Sequence, residues 1–175
     1  ALPLDWAVPI QLGDSYRGVP VLATTTEFFT KFQPDPETPW QFASGEMFAR
    51  ELEVVVGAAA ARQTGLRIGD TIFLTHGIGR ASSGESGASA PHEHREFQFK
   101  VVGILAPSGA SHDRALFVSL ESSWILHAHD RRLVENPRAS ITTAADLTDA
   151  DRLITGIYMR VLTRPGQSAS AMLPV

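Results

Sequence analysis

Residues 53–120 constrain the fold of this chain more than any other stretch, because their β-favouring and helix-favouring runs succeed one another in a defined order. The order is EVVV, GAAAARQTGL, RIGDTIFL, a polar gap at residues 75–96, then FQFKVVGILAPSG and DRALFVSLES. Val54, Val55 and Val56 are β-branched, restricted at χ1 and suited to a pleated, buried surface. They stop at Gly57, and the alanine run that follows, ending in Arg62, Gln63 and Thr64, predicts a helix of about two turns. Gly65 is placed to take the left-handed conformation past the helix end, with Leu66 as the hydrophobe behind it. Gly69 and Asp70 turn the chain into a strand at residues 71–74. Beyond the gap, Phe97, Phe99 and Val101 alternate with Gln98 and Lys100, so this strand starts with one buried and one wet face. Val102, Ile104 and Leu105 then make it apolar on both, and Gly103 within it predicts a bulge or a close backbone approach.

The flanks extend the mixture. Residues 19–23 form a short β-prone run. Thr26 is a plausible N-cap for a helix carrying Phe28, Phe29 and Phe32 on one face. Pro34, Pro36 and Pro39 then deny any regular helix around Trp40. These aromatics, with Phe42, read as core rather than as an exposed patch, and Trp40 between prolines is the one whose placement matters most. Residues 114–120 read as a strand, 121–129 as a short helix with Trp124 and Ile125 inward, and 131–151 as polar and poorly patterned. Ile157, Met159 and Val161 alternate with Tyr158 and Arg160 in a last strand. Strands and short helices without regular alternation make the class α+β.

Composition excludes several functions. The chain has 175 residues, 43% hydrophobic and 19% charged, enough for a real core. A net charge of -4 and a pI near 5.8, with 15 scattered basic residues, argue against nucleic-acid binding. Cysteine is absent, so there are neither disulfides nor thiolate chemistry. The longest apolar run, residues 54–61, is far short of the roughly 20 residues that span a bilayer. The first residue is Ala1 with no signal-like core after it, and PGQSASAMLPV closes the chain as if opening another element; both ends read as cuts within a longer polypeptide.

Taken in order, VPIQLGDSYRGVPVLATTTEFF, SGEMFA with Gly45 and Phe48, EVVVGAAAARQTGLRIGDTIFL, FQFKVVGILAPSGASHDRALFVSLES and ITGIYMRVL resemble the extracytoplasmic core domain of an ABC transporter permease of the MacB and FtsX type. The resemblance implies two lobes: a discontinuous, membrane-proximal β-α-β lobe from residues 1–50 and 149–175, and a small mixed lobe at 51–148 inserted into it, carrying a flexible loop at 75–96. It implies transmembrane helices before Ala1 and after Val175, a cytoplasmic ATPase subunit reached through them, and a dimer in the intact transporter. The domain would lie on the periplasmic side of the inner membrane, without an active site. It would couple ATP-driven motion to a substrate, lipoprotein, lipid or partner protein, in export, lipoprotein release or mechanotransmission.

Histidine departs from that pattern. His76, His92, His94, His112, His127 and His129 all fall between residues 76 and 129. In the extended segment PHEHREF, His92, His94 and Glu96 share one side while Glu93 points away. Two imidazoles and a carboxylate suit Zn²⁺, so His92, His94 and Glu96 form the expected metal set and a zinc-linked cargo the corresponding function. His127 and His129, two apart on a helix, face different ways. The gap before PHEHREF is rich in Gly, Ser and Ala, a flexible-linker composition. A small metal-dependent hydrolase is the rival reading; it requires His92, His94, His112 or His127 to meet a carboxylate or nucleophile in one pocket.

Other motifs carry less. Gly77-Ile78-Gly79 begins like a dinucleotide loop, but Ser82 stands where the third glycine belongs and Gly84, Gly87 and Pro91 deny the helix. Ser111-His112-Asp113 holds triad residue types, yet consecutive residues in a turn do not align hydroxyl, imidazole and carboxylate. Asp146, Asp149 and Asp151 lack the spacing of a calcium loop and read as a solvated acidic connection.

Overall fold

β-branched and alternating runs form strands here, and the turns between them are set by residues that tolerate positive φ. The computed structural model describes residues 3–34, 38–76, 94–162 and 166. β1 (Leu4–Tyr16) and β2 (Val19–Thr24) form an antiparallel hairpin closed by Arg17 and Gly18. Both turn residues have positive φ, 48° and 78°, the primed turn whose twist matches that of the strands. After β2 comes α1 (Glu27–Thr30), only four residues long. Thr26 differs from its expected role: its backbone is already helical and its side chain makes no capping bond, so α1 is held by its buried Phe28 and Phe29 rather than by a cap.

The central stretch folds largely as its pattern requires. β4 (Glu53–Val56) is buried at every position, α2 (Ala58–Thr64) follows, and Gly65 closes the helix at φ 76° with its N–H on the Ala61 carbonyl at 2.9 Å. The expected strand at 71–74 is shorter, β5 (Thr71–Ile72), and a separate short strand, β6 (Thr75–His76), follows it and serves a different neighbour. β7 (Phe99–Leu105) pairs with β3 (Phe42–Gly45) on one side and β4 on the other. The register slips between Val54 and Val55 opposite Val101 and Gly103, so the bulge expected at Gly103 is present. A Cβ on Gly103 would stand 2.2 Å from the Glu46 carbonyl oxygen, which accounts for the glycine.

β8 (Leu116–Ser119) leads directly into α3 (Leu120–Glu135), whose N-cap Ser119 accepts the Ser122 N–H at 3.1 Å. The helix runs six residues beyond the expected end at His129. Its added residues, 130–135, are held from outside by Arg131 on Asp151 and Arg132 on Asp146 at 3.6 Å. Those aspartates explain the acidic connection: each sits in a short 3₁₀ turn as the third residue of a Thr capping box, Thr143 with Asp146 and Thr148 with Asp151. β9 (Gly156–Val161) then returns antiparallel to β1.

The nine described strands join one mixed sheet in the order β3-β7-β4-β8-β2-β1-β6, with β5 on β7 and β9 on β1. β2 with β8 and β4 with β7 are parallel, the other pairs antiparallel. Strands from residues 1–50 and from 51–148 thus share this sheet. Few helices on a mixed sheet give an α+β architecture. One face is covered by α3, with Leu120, Ile125 and Leu126 on Val21, Val54 and Val118. The other carries Phe28, Phe29, Trp40 and Phe48 around Val55 and Phe117. Trp40 belongs to this core, its indole N–H donating to the Phe32 carbonyl at 3.0 Å. No helix among the described residues is long and apolar enough to cross a membrane.

Candidate functional site

Of the three expected ligands, the structure describes two. His92 lies outside the described residues, Glu96 is exposed, and His94 is fully buried. His94 starts the segment after the gap, its N–H on the Leu74 carbonyl at 3.0 Å, and its Nδ1 lies 3.4 Å from Asp130 Oδ1.

A different set of side chains converges beside it. Asp14 and His76 are cross-strand partners on β1 and β6, so the ladder itself brings them together. The register of β1 shifts between Leu12 and Ser15, and an irregularity of that kind re-aims the side chains next to it. Asp14 is 3% exposed and lies under α3. From α3, His127 reaches down to it: His127 Nε2 is 3.4 Å from Asp14 Oδ1 and 3.3 Å from Oδ2, and His76 Nδ1 is 3.2 Å from Oδ1. The His76 and His127 rings cross edge to face with centroids 5.0 Å apart. Gln11, 7% exposed, donates its Nε2 to His127 Nδ1 at 2.9 Å, which leaves the imidazole proton on Nε2, facing Asp14. Asp130 stands three residues after His127, on the same helix face, and faces His94.

Burial alone would raise the Asp14 carboxyl, but hydrogen bonds and charge from His127 and then His76 outweigh it, holding the group below its ordinary value. Two triads could therefore hold a divalent ion among the described residues: Asp14, His76 and His127, and His76, His94 and Asp130, each with ligand atoms within 4.8 Å of one another. Sequence reasoning missed Asp14, Gln11 and Asp130. The spacing of His127 and Asp130 was the only local signal available, since the Asp14–His76 pair depends on strand register.

The remaining candidates serve structure. Asp113 accepts from Ser108 N–H at 3.0 Å, Ser108 Oγ–H at 2.7 Å and Gly109 N–H at 3.0 Å, fixing the turn into β8. Burial raises the Asp113 carboxyl less than these donors lower it. The His112 ring is set among Phe28, Phe32, Trp40 and Tyr158, where burial lowers its pKa against the opposing charge of Asp113. Ser111-His112-Asp113 is a 3₁₀ turn. Of the histidines a hydrolase would need, His94 and His127 meet carboxylates, whereas His112 lies apart in the aromatic cluster. His129 faces away, against Phe97 and Thr142. The 77–79 glycine motif and the rest of the loop through residue 93 lie outside the described residues.

The family model for the MacB-like periplasmic core domain matches residues 1–172. The chain belongs to that family. No curated protein matches the sequence. Solved structures similar to it include the extracellular domain of the noncanonic ABC-type transporter YknZ from Gram-positive bacteria, at 7% identity and TM-score 0.45, over 91% of this chain and 66% of that one. Another is the periplasmic region of MacB from Actinobacillus actinomycetemcomitans, at 8% identity and TM-score 0.45, over 97% of this chain and 62% of that one. The chain thus spans less than two thirds of either solved domain, and its family membership rests on the model match. As a MacB-like periplasmic core domain, it falls in a family of transporter permease domains rather than of known enzymes.

Proposed function

We propose that this domain lies on the extracytoplasmic side of the inner membrane as part of an ABC transporter permease, relaying ATP-driven movement of transmembrane helices to a substrate or partner outside the cytoplasm. The match of the MacB-like periplasmic core domain model to residues 1–172 carries this reading. A relay of this kind needs a stiff body and exposed surface rather than a nucleophile, and the doubly covered mixed sheet supplies the stiffness. A cytoplasmic ATPase subunit, pairing of two permease copies, and a lipoprotein, lipid or periplasmic protein as cargo or partner complete the proposal.

The first test is the coding sequence around the domain, which should encode apolar segments of about 20 residues on both sides. Their absence would end the proposal. The second test reconstitutes the intact permease with its ATPase in lipid vesicles and removes this domain. Assembly and basal ATP turnover are expected to persist while coupled transport or release is lost; unchanged coupling would overturn the relay role.

A further inference from the structure

From the polar corner between β1, β6 and α3, we infer that Asp14, His76 and His127 form a zinc site in which one coordination position is left to water and Gln11 orients His127. The inference rests on this chain's own side chains and stands whether or not the transport proposal holds. It also differs from the set expected at PHEHREF, sharing none of its ligands.

Geometry is the first support. Ligands about 2.0–2.1 Å from a tetrahedral ion lie about 3.3–3.4 Å from each other. Asp14 Oδ1 stands 3.2 Å from His76 Nδ1 and 3.4 Å from His127 Nε2, so two edges of such a tetrahedron already meet at one carboxylate oxygen. The same separations are long for charge-assisted N–H to carboxylate hydrogen bonds, which favour about 2.7–2.9 Å. Accessibility is the second support. The side chains of Asp14 and His127 are 4% and 14% exposed, whereas that of His76 is 53% exposed, so the site is anchored in the protein and open on one side.

The third support is Gln11. Its Oε1 is buried without a hydrogen-bond partner among the described residues, while its Nε2 meets His127 Nδ1. A metal on His127 Nε2 requires the imidazole proton on Nδ1, and exchanging the amide oxygen and nitrogen of Gln11 gives that proton an acceptor. The bound site would then have a carbonyl holding the outer nitrogen of a ligating histidine, as metal-binding imidazoles regularly do. Two imidazoles and one carboxylate favour zinc over the hard cations Ca²⁺ and Mg²⁺, which take oxygen ligands. The ion would tie α3 to the β1–β6 edge across residues far apart in sequence.

The test is calorimetric titration of zinc into the 175-residue chain, with thermal melting beside it. One zinc per chain, a rise in melting temperature with zinc, and no comparable rise with magnesium are expected. His76→Gln is the primary variant because its half-exposed side chain contributes least to packing; it should weaken binding more than about 30-fold and abolish the zinc-dependent rise. Gln11→Leu leaves the ligands in place and should weaken binding by about tenfold. His92→Gln, Glu96→Gln and Asp130→Asn should each leave affinity within about threefold. Absent zinc binding, binding that survives His76→Gln, or binding lost with Glu96 or Asp130 instead, would overturn the assignment.

Discussion

The centre of the sheet and its β1–β6 corner both bury side chains but with opposite chemistry, and the corner is open at His76. β4, β8 and the aromatic layer beneath them exclude water with Val55, Phe117, Phe28 and Trp40, and a carboxylate at their margin, Glu53, is held by the backbone N–H groups of Ala49 and Arg50 at 2.8 and 3.0 Å. The corner instead buries Gln11, Asp14 and His94, with His127 close above them. In the first region stability follows mainly filled volume, with His112 a titratable group set among its rings. In the second it follows which groups carry protons. A single sheet thus combines a stiff, passive body with an edge able to respond to its surroundings.

The sharpest way to break this contrast is to truncate the aromatic layer. Phe117 is fully buried, with ring centroids 5.2 Å from Phe28 and 5.6 Å from Phe29, so Phe117→Ala should cost about 3–5 kcal/mol in urea denaturation. A loss below about 1 kcal/mol would mean that the layer is loosely packed. Next in size is Gly45→Ala. Gly45 has φ 70°, and an added Cβ would meet the Val102 carbonyl oxygen at 2.0 Å, so β3 must move off β7 at a cost of about 2–3 kcal/mol. An unchanged melting temperature would show that this edge yields freely.

Asp14→Asn addresses the corner and should cost about 1.5–3 kcal/mol at neutral pH, since it removes a charged acceptor shared by two imidazoles. Because the folded carboxyl sits below its ordinary value of 3.8, its contribution is complete above that value and is lost as the pH falls through it toward the lower folded one. Parent and variant curves should therefore converge in acid. Curves that stay parallel from neutral to strongly acidic pH would count against the pairing.

The smallest effect belongs to the 3₁₀ turn after α3. The Thr148 N–H, then the Thr148 hydroxyl, and Arg131 beside them hold the Asp151 carboxyl at about 2. Thr148→Ala should cost about 0.5–1 kcal/mol. That difference should be present above pH 3.8 and fade as the pH drops toward 2, read by melting at several pH values. A constant difference would mean that the Thr148 hydroxyl acts by accepting the Asp151 backbone N–H and not through the carboxylate.

Much of the fold was legible because local rules and global packing agree. Val54 to Val56, the alanine helix, Gly65 and the Gly103 bulge lie where propensity and turn chemistry put them. The misreadings share a cause. α3 runs past His129 because Arg131 and Arg132 find acidic partners that lie 20 and 14 residues onward, beyond the reach of helix periodicity. The strand expected at 71–74 stops at Ile72, and the next paired residues, Thr75 and His76, join β1 from far earlier in the chain. The corner was illegible for the same reason: His94 was visible as a histidine, but Asp14, Gln11 and Asp130 acquire meaning only from register and helix placement.

The sequence by itself determined the α+β class, the order of the central elements and the family, because these depend on side-chain volume, β-branching and turn residues read over short spans. Tertiary structure alone decided which histidines face carboxylates. Convergence at Asp14 is set by strand pairing across 62 residues and helix docking across 113. Contacts that distant leave no period in the chain, since only the closed sheet fixes the distances between them.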